Sequence, residues 1–320
     1  MQSTGRGAPD LLRSAGGVLL ATGAVVLFAR KAEHGWGDFA LLLVVAMPAL
    51  VLYGFAIVGA RPDSDGSAEP WRSVLMVTAV LLAPIVLLQL LQVLGVGKLE
   101  PLETAGIFAA TAVIGAYGAS RGRVRYAALL GGLASLVAWL IVWGRVLHHP
   151  SPSTFRLELI AGAAVLLLTA IALERAPAIG SSEVATAGGV AAVAAGALGV
   201  FVGTFAGVLG PLSSAFSHTH NGGPNLLGLT HPSGLQNFGW DLYLLVVSLA
   251  LILVGSKVRS RGLGYVGGFG ALLFVYSVAA EVTRLESGKA HTSSLVGWPL
   301  ALLVLGAVGL FAPMLARRQA

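Results

Sequence analysis

The sequence predicts an all-α fold, a polytopic transmembrane helix bundle of about ten spans with cytoplasmic N- and C-termini, built in part from duplicated helical hairpins. Three observations predict it. Hydrophobic residues make up 56% of the 320-residue chain and charged residues 11%, against roughly 25% charged in a soluble domain. The apolar residues fall into runs of spanning length, about 20 residues for a helix. Lys and Arg sit singly or in threes at the ends of those runs, as membrane orientation requires. The net charge of +6 is therefore a mark of topology, and nucleic acid is excluded as a partner. The principal partner is the lipid bilayer, with a membrane-protein partner or a homo-oligomer left open. Cysteine is absent, so neither disulfides nor thiolate metal ligands exist.

The candidate spans, in order, are 15–29, 38–60, 73–96, 104–119, 126–147, 155–173, 184–210, 239–256, 262–283 and 294–315. The first and fourth are short. The first follows Arg6 and Arg13 and could be a signal peptide, but "ARKAEHG" after Phe28 offers no small-x-small cleavage site, so a retained anchor is expected. The loops are mostly short, which makes sequential helices antiparallel neighbours. The organisation is a cytoplasmic tail at 1–14, a transmembrane domain at 15–315 with an outer His-containing loop at 211–238, and a cytoplasmic tail at 316–320. With the N-terminus inside, 13 Lys and Arg fall on cytoplasmic segments and 7 on outer ones, the bias of the positive-inside rule. That points to the cytoplasmic (inner) membrane. The densest basic turns, "SRGRVR" at 120–125 and "SKVRSR" at 256–261, fall on one side.

Those turns align at a shift of 136 residues, which also brings Gly131-Gly132 onto Gly267-Gly268 and Leu136 onto Leu272. A second echo opens three descending helices, "GWGDFALLLVV" at Gly35, "GWDLYLLVV" at Gly239 and "GWPLALLVL" at Gly297. Each puts an indole at the outer interface, where Trp is comfortable with one wet and one apolar edge. Duplication of hairpins accounts for both echoes. Gly199-x-x-x-Gly203-x-x-x-Gly207 forms one face of the seventh helix, with Gly196 nearby, the spacing that lets another backbone approach closely. Pro48 and Pro84 fall inside spans and can kink them.

The stretches "GWDLYLLVVSLALILVGSKVRSRGLGYVGGFGALLFVY" and "GWPLALLVLGAVGLF" resemble parts of uncharacterised multi-pass bacterial integral membrane proteins. The likeness covers the C-terminal quarter. It implies a polytopic inner-membrane protein and carries over no site residues.

"GLGYVGG" at 262–268 matches G-x-G-x-x-G, but a dinucleotide fingerprint needs a preceding strand, and here the glycines open a membrane helix after a basic turn. There is no Walker loop, no H-E-x-x-H and no G-x-S-x-G, and Ser213 and Ser214 have no base at a supporting spacing. No catalytic or cofactor-binding residue is assigned, and an enzyme is the least favoured class.

All seven histidines lie outside or at the outer interface: His34, His148, His149, His218, His220, His231 and His291. Imidazole with carboxylate suits a divalent transition metal such as zinc, copper or nickel, and also proton sensing. His218-x-His220 in an extended loop, with His231 returning as a third ligand, is the candidate metal site; an ordinary structured cap is the alternative. Asp38, Asp241 and His34 are further outer-face polar candidates, the two aspartates occupying nearly equivalent places in the Gly-Trp echoes. Gln89 and Gln92 share a face of the third helix and are expected to bond across helices. Arg145 and Glu281, near the outer ends of the fifth and ninth helices, could pair or snorkel. Two classes of function follow. One is a transporter or channel for a small solute or ion, recognised at the outer face. The other is a non-transporting subunit or sensor that docks a partner or responds to metal or pH through the outer loop. A continuous polar path between the fifth, seventh and ninth helices would favour the first, and a sealed apolar interior the second.

Overall fold

The computed structural model describes residues 7–32, 36–58, 69–96, 99–147, 151–175, 180–216, 238–258 and 260–286. Among them the secondary structure is helical throughout: α1 (Gly7–Ala32), α2 (Asp38–Ile57), α3 (Pro70–Val93), α4 (Pro101–Gly122), α5 (Arg125–Val146), α6 (Pro152–Arg175), α7 (Ser181–Phe216), α8 (Phe238–Lys257) and α9 (Arg261–Glu286). Each of the first nine expected runs overlaps one helix, and the tenth, 294–315, lies outside the described residues. Eight of the helices are long and apolar enough to cross a membrane, so the chain is a multi-pass membrane protein whose surroundings are lipid. The two short runs become full-length helices of 26 residues (α1) and 22 residues (α4), because their polar flanks are helical too. In α1 the flank is held by the Arg13–Asp10 ion pair at 3.6 Å. In α4 it is held by Pro101 in the first turn and a capping box, in which the Glu103 carboxylate accepts from the Glu100 N–H at 2.9 Å. Helix α7 spans 36 residues, about 54 Å at 1.5 Å per residue. It continues through Pro211 to Phe216, six residues into the segment expected as the outer loop.

The chain divides into two compact units, residues 1–195 with 251–266, and residues 196–250 with 267–320. In the first, small residues set the helix spacing. Helix α4 ends at Arg123, which takes left-handed φ of 53°, and α5 starts two residues later, so the pair forms a tight antiparallel hairpin. Their crossing is at Gly115, where a Cβ would fall 2.8 Å from the Ala127 carbonyl oxygen and 2.9 Å from the Gly131 Cα. This is backbone against backbone, the small-residue packing that replaces a hydrophobic drive within lipid. Met76 of α3 lies against Gly118 and Gly122. Helix α1 joins α2 and α3 through Gly17, which touches Leu52 and Leu75. Among the eight candidate spans described, Ser181–Leu198 of α7 is the most enclosed, 61% of it buried against at most 39% in the others. Ala187, Ala191 and Ala195 are fully buried at 0% exposure. Around it stand α5 (Ala187 against Gly132), α6 (Leu167 and the Ala163 carbonyl against Gly188), and Leu251 and Leu263 against Gly189.

Both basic turns lie at one end of this unit. The start of α7 touches α5 just after the first turn, with Gly180 against Ala128. It touches α9 just after the second, with Thr186 against Gly262. The start of α3 belongs to the same end, since Gly122 at the close of α4 packs on Met76. There the guanidinium groups of Arg13 and Arg72 each lie over the Trp71 ring, 5.0 Å from its centroid. Its indole N–H donates to Glu69 Oε2 at 2.9 Å, and Arg72 Nε donates to the same oxygen at 3.1 Å. The cluster fastens α1 to α3.

In the second unit Gly196 packs on Leu244, a Cβ there falling 2.9 Å from the Leu244 Cβ. Phe274 and Ser248 are buried. Trp240, in the first turn of α8, meets Tyr243 edge-on at 5.5 Å between ring centroids.

Candidate functional site

The two aspartates of the Gly-Trp echoes have different surroundings. Asp38 stands exposed in the first turn of α2, and its backbone carbonyl accepts from Gln89 Nε2 at 3.1 Å. Gln89 is 1% exposed and so bonds across helices as expected, while Gln92 is exposed. Asp241 is half-buried in α8 and accepts from the buried Ser277 hydroxyl of α9 at 2.7 Å. His34, His148, His149, His218, His220, His231 and His291 lie outside the described residues, and so does the third Gly-Trp pair. Glu281 lies outside those whose side chains are described, which leaves its pairing with Arg145 a proposal. Among the described residues no group of three or more His, Asp or Glu is placed to hold a metal ion.

Several other hydroxyls within the spans are satisfied locally. Thr111 donates to the Ile107 carbonyl at 2.9 Å, Thr186 to Ser182 at 2.7 Å and Ser248 to Leu244 at 2.6 Å, each one turn back along its own helix. The G-x-G-x-x-G match at Gly262 falls in the first turns of α9, with helix α8 rather than a strand before it, so no dinucleotide site forms there.

One ionisable group stands apart. Glu158, in the second turn of α6, is 6% exposed. Neither of its carboxylate oxygens has a hydrogen-bond partner among the described residues. Its backbone carbonyl accepts from the Trp139 indole N–H of α5 at 3.1 Å. One turn further along α6, a Cβ at Gly162 would meet Leu136 Cδ1 at 2.7 Å and Trp139 Cδ1 at 3.3 Å. Glu158 and Gly162, four apart, share that face, so Glu158 belongs to the α5–α6 seam. One turn towards the end of α5, Trp143 packs on Trp139 with centroids 5.5 Å apart and rings inclined by 58°. Arg156, also buried at 3%, lies two residues earlier and so roughly 200° round the helix from Glu158. It aligns instead with Ala163, whose carbonyl faces Gly188 of α7. The sequence marks Glu158 only as one of several outer acids. The signal that singles it out is an indole pair four apart, Trp139 and Trp143, on the preceding helix. Searches of known protein families, characterised proteins and solved structures find no match to this chain.

Proposed function

We propose that the chain is a ten-span protein of the cytoplasmic membrane, both termini in the cytosol, acting as a non-transporting subunit or sensor whose recognition groups face outward. The observation that carries this reading is the sealed interior of the first unit. Where α5, α6 and α7 meet, the contacts are made by Gly132, Leu166, Ala187 and Gly188, with Ala191 and Ala195 fully buried beyond them. The nearby hydroxyls are turned back onto their own helices, as Ser135 is onto the Gly132 carbonyl at 2.8 Å. A solute path needs side chains or carbonyls that replace hydration along its length. Orientation is supported by the basic turns sharing one end, where the positive-inside rule puts the cytosol. The outer loop with His218, His220 and His231 belongs to this proposal as a site for a divalent transition metal, and Asp38, Asp241 and His34 as outer-face polar groups.

The transporter or channel reading draws on Glu158, since a buried membrane carboxylate marks ion and substrate pathways in many proteins. The two readings separate in one experiment. The chain has no cysteine, so single substitutions report directly on access. Ser151→Cys should react with an impermeant thiol reagent added outside intact cells, and Ser120→Cys and Ser256→Cys only after the cytosolic face is opened. Ala138→Cys and Ala191→Cys, deep on α5 and α7, should not react from either side. Reaction at 138 and 191 from the outer face would restore the transporter. Reaction of 120 and 256 from opposite faces would overturn the topology.

A further inference from the structure

We infer that Glu158, Trp139 and Trp143 form a site for an ammonium cation at the outer ends of α5 and α6. The carboxylate is enclosed at 6% exposure with no donor offered to it by the described residues. A carboxylate taken out of water without a partner is among the costliest groups a membrane protein can hold. Either a proton on the carboxyl group or a cation drawn against it relieves that cost, and the aromatic surroundings suit the second.

The surroundings select the kind of cation. A divalent metal needs several oxygen or nitrogen ligands, and no group of three His, Asp or Glu stands anywhere among the described residues. The backbone oxygen of Glu158 itself is already engaged by Trp139 Nε1 at 3.1 Å. Two indoles inclined at 58° with centroids 5.5 Å apart offer π faces, which favour alkylammonium groups that shed water easily. Trp143 is 36% exposed and Leu157 61%, so the side chains flanking the seam face outward at the level where Trp residues meet headgroups, with the carboxylate enclosed behind them. An ammonium has two sources there, a free small amine and the headgroup of an amine lipid. The elements packed against Glu158 bring no other acid. Helix α5 carries Arg145 and α6 carries Arg156 at this end, and α7 has no ionisable residue from Val184 to Leu198.

The site rests on the proposed topology only for the side of the membrane it faces. The test is a titration of the purified full-length chain with tetramethylammonium chloride, read by tryptophan emission, with sodium chloride matched for ionic strength. A saturable change specific to tetramethylammonium is expected. Glu158→Gln, which keeps the shape and removes the charge, should abolish it. Trp143→Leu, at a surface position that leaves the fold intact, should weaken it about fivefold, the worth of one aromatic face. Repeating the titration in phosphatidylethanolamine and in phosphatidylglycerol bilayers separates the sources. Loss of the response only with the amine lipid assigns the headgroup, and equal responses assign the free amine. No saturable response beyond sodium chloride, or an undiminished one in both variants, overturns the site. If the response holds while thiol labelling puts residue 151 in the cytosol, the site stands and the topology falls.

Discussion

Replacing Gly115 with alanine tests whether backbone-on-backbone packing holds the α4–α5 hairpin. The added methyl would sit 2.8 Å from the Ala127 carbonyl oxygen, 2.9 Å from Gly131 Cα and 3.0 Å from Gly131 N. Carbon contacts are comfortable at about 3.5–4.0 Å, so the two helices must part locally by roughly an ångström. All three obstacles are main-chain atoms, and none can rotate away. Overpacking of this sort costs about 1–3 kcal/mol, and the upper part of that range applies to a rigid site. Alanine recovers up to ~1 kcal/mol of helix propensity over glycine. The net expectation is a loss of about 1–2 kcal/mol. Gly106 on the same helix is the internal control, because a Cβ there meets nothing within 4 Å. Gly106→Ala should gain up to ~1 kcal/mol from propensity alone, a separation of about 2–3 kcal/mol between two identical chemical changes. Equilibrium unfolding in mixed micelles, followed by circular dichroism, measures both. Equal stability of the two variants would refute the close crossing and with it the account of why this hairpin is tight.

Two further outcomes follow from the remaining polar features. Ser277→Ala removes the 2.7 Å bond to Asp241 and should cost about 1.5–3 kcal/mol, the range for a hydrogen bond to a charged group. Asp241→Asn, which keeps an acceptor oxygen, should cost less in the same unfolding assay, and the reverse order would show that the bond does not form. Replacing His218, His220 and His231 together with alanine should abolish Zn²⁺ or Cu²⁺ binding by the full chain in isothermal titration, and unchanged affinity would leave the outer loop a structural cap.

The helical segmentation was legible because lipid imposes it. A span must be about 20 residues and apolar, so every expected run among the described residues is helical. The ends were less legible, because hydropathy measures where the chain meets lipid and not where hydrogen bonding stops. Asp10 and Arg13 are polar and still extend α1, and Pro211 does not halt α7. The shared end of the two basic turns was readable from charge alone. The surroundings of Asp38 and Asp241 were not. Their local motifs, "GWGD" and "GWD", differ only by Gly37, but what each meets is decided by another helix, Gln89 on α3 at the Asp38 carbonyl and Ser277 on α9 at the Asp241 carboxylate. Glu158 shows the same limit. Nothing in "FRLELI" distinguishes a buried acid from one facing headgroups, and its place in the α5–α6 seam is set by the Trp139 bond to its backbone carbonyl and by Gly162, which lets α5 approach.

The two ends of the first unit bury charge in opposite ways. At the basic end Arg72 is 8% exposed, yet Glu69 accepts from both Arg72 and Trp71 while two guanidinium groups lie over the Trp71 ring. Cation, acceptor and aromatic all come from the chain itself, and the cluster serves as a fastening of α1 to α3. At the other end Glu158 and the Trp139–Trp143 pair supply an acceptor and an aromatic face without a donor to the carboxylate among the described residues. The same three-part arrangement is built twice, once with a guanidinium on its carboxylate and once with no donor to the carboxylate among the described residues. A fold that completes this arrangement where it serves architecture, and withholds one component at the α5–α6 seam, points to recognition at the Glu158 end, with the cation arriving from outside the chain.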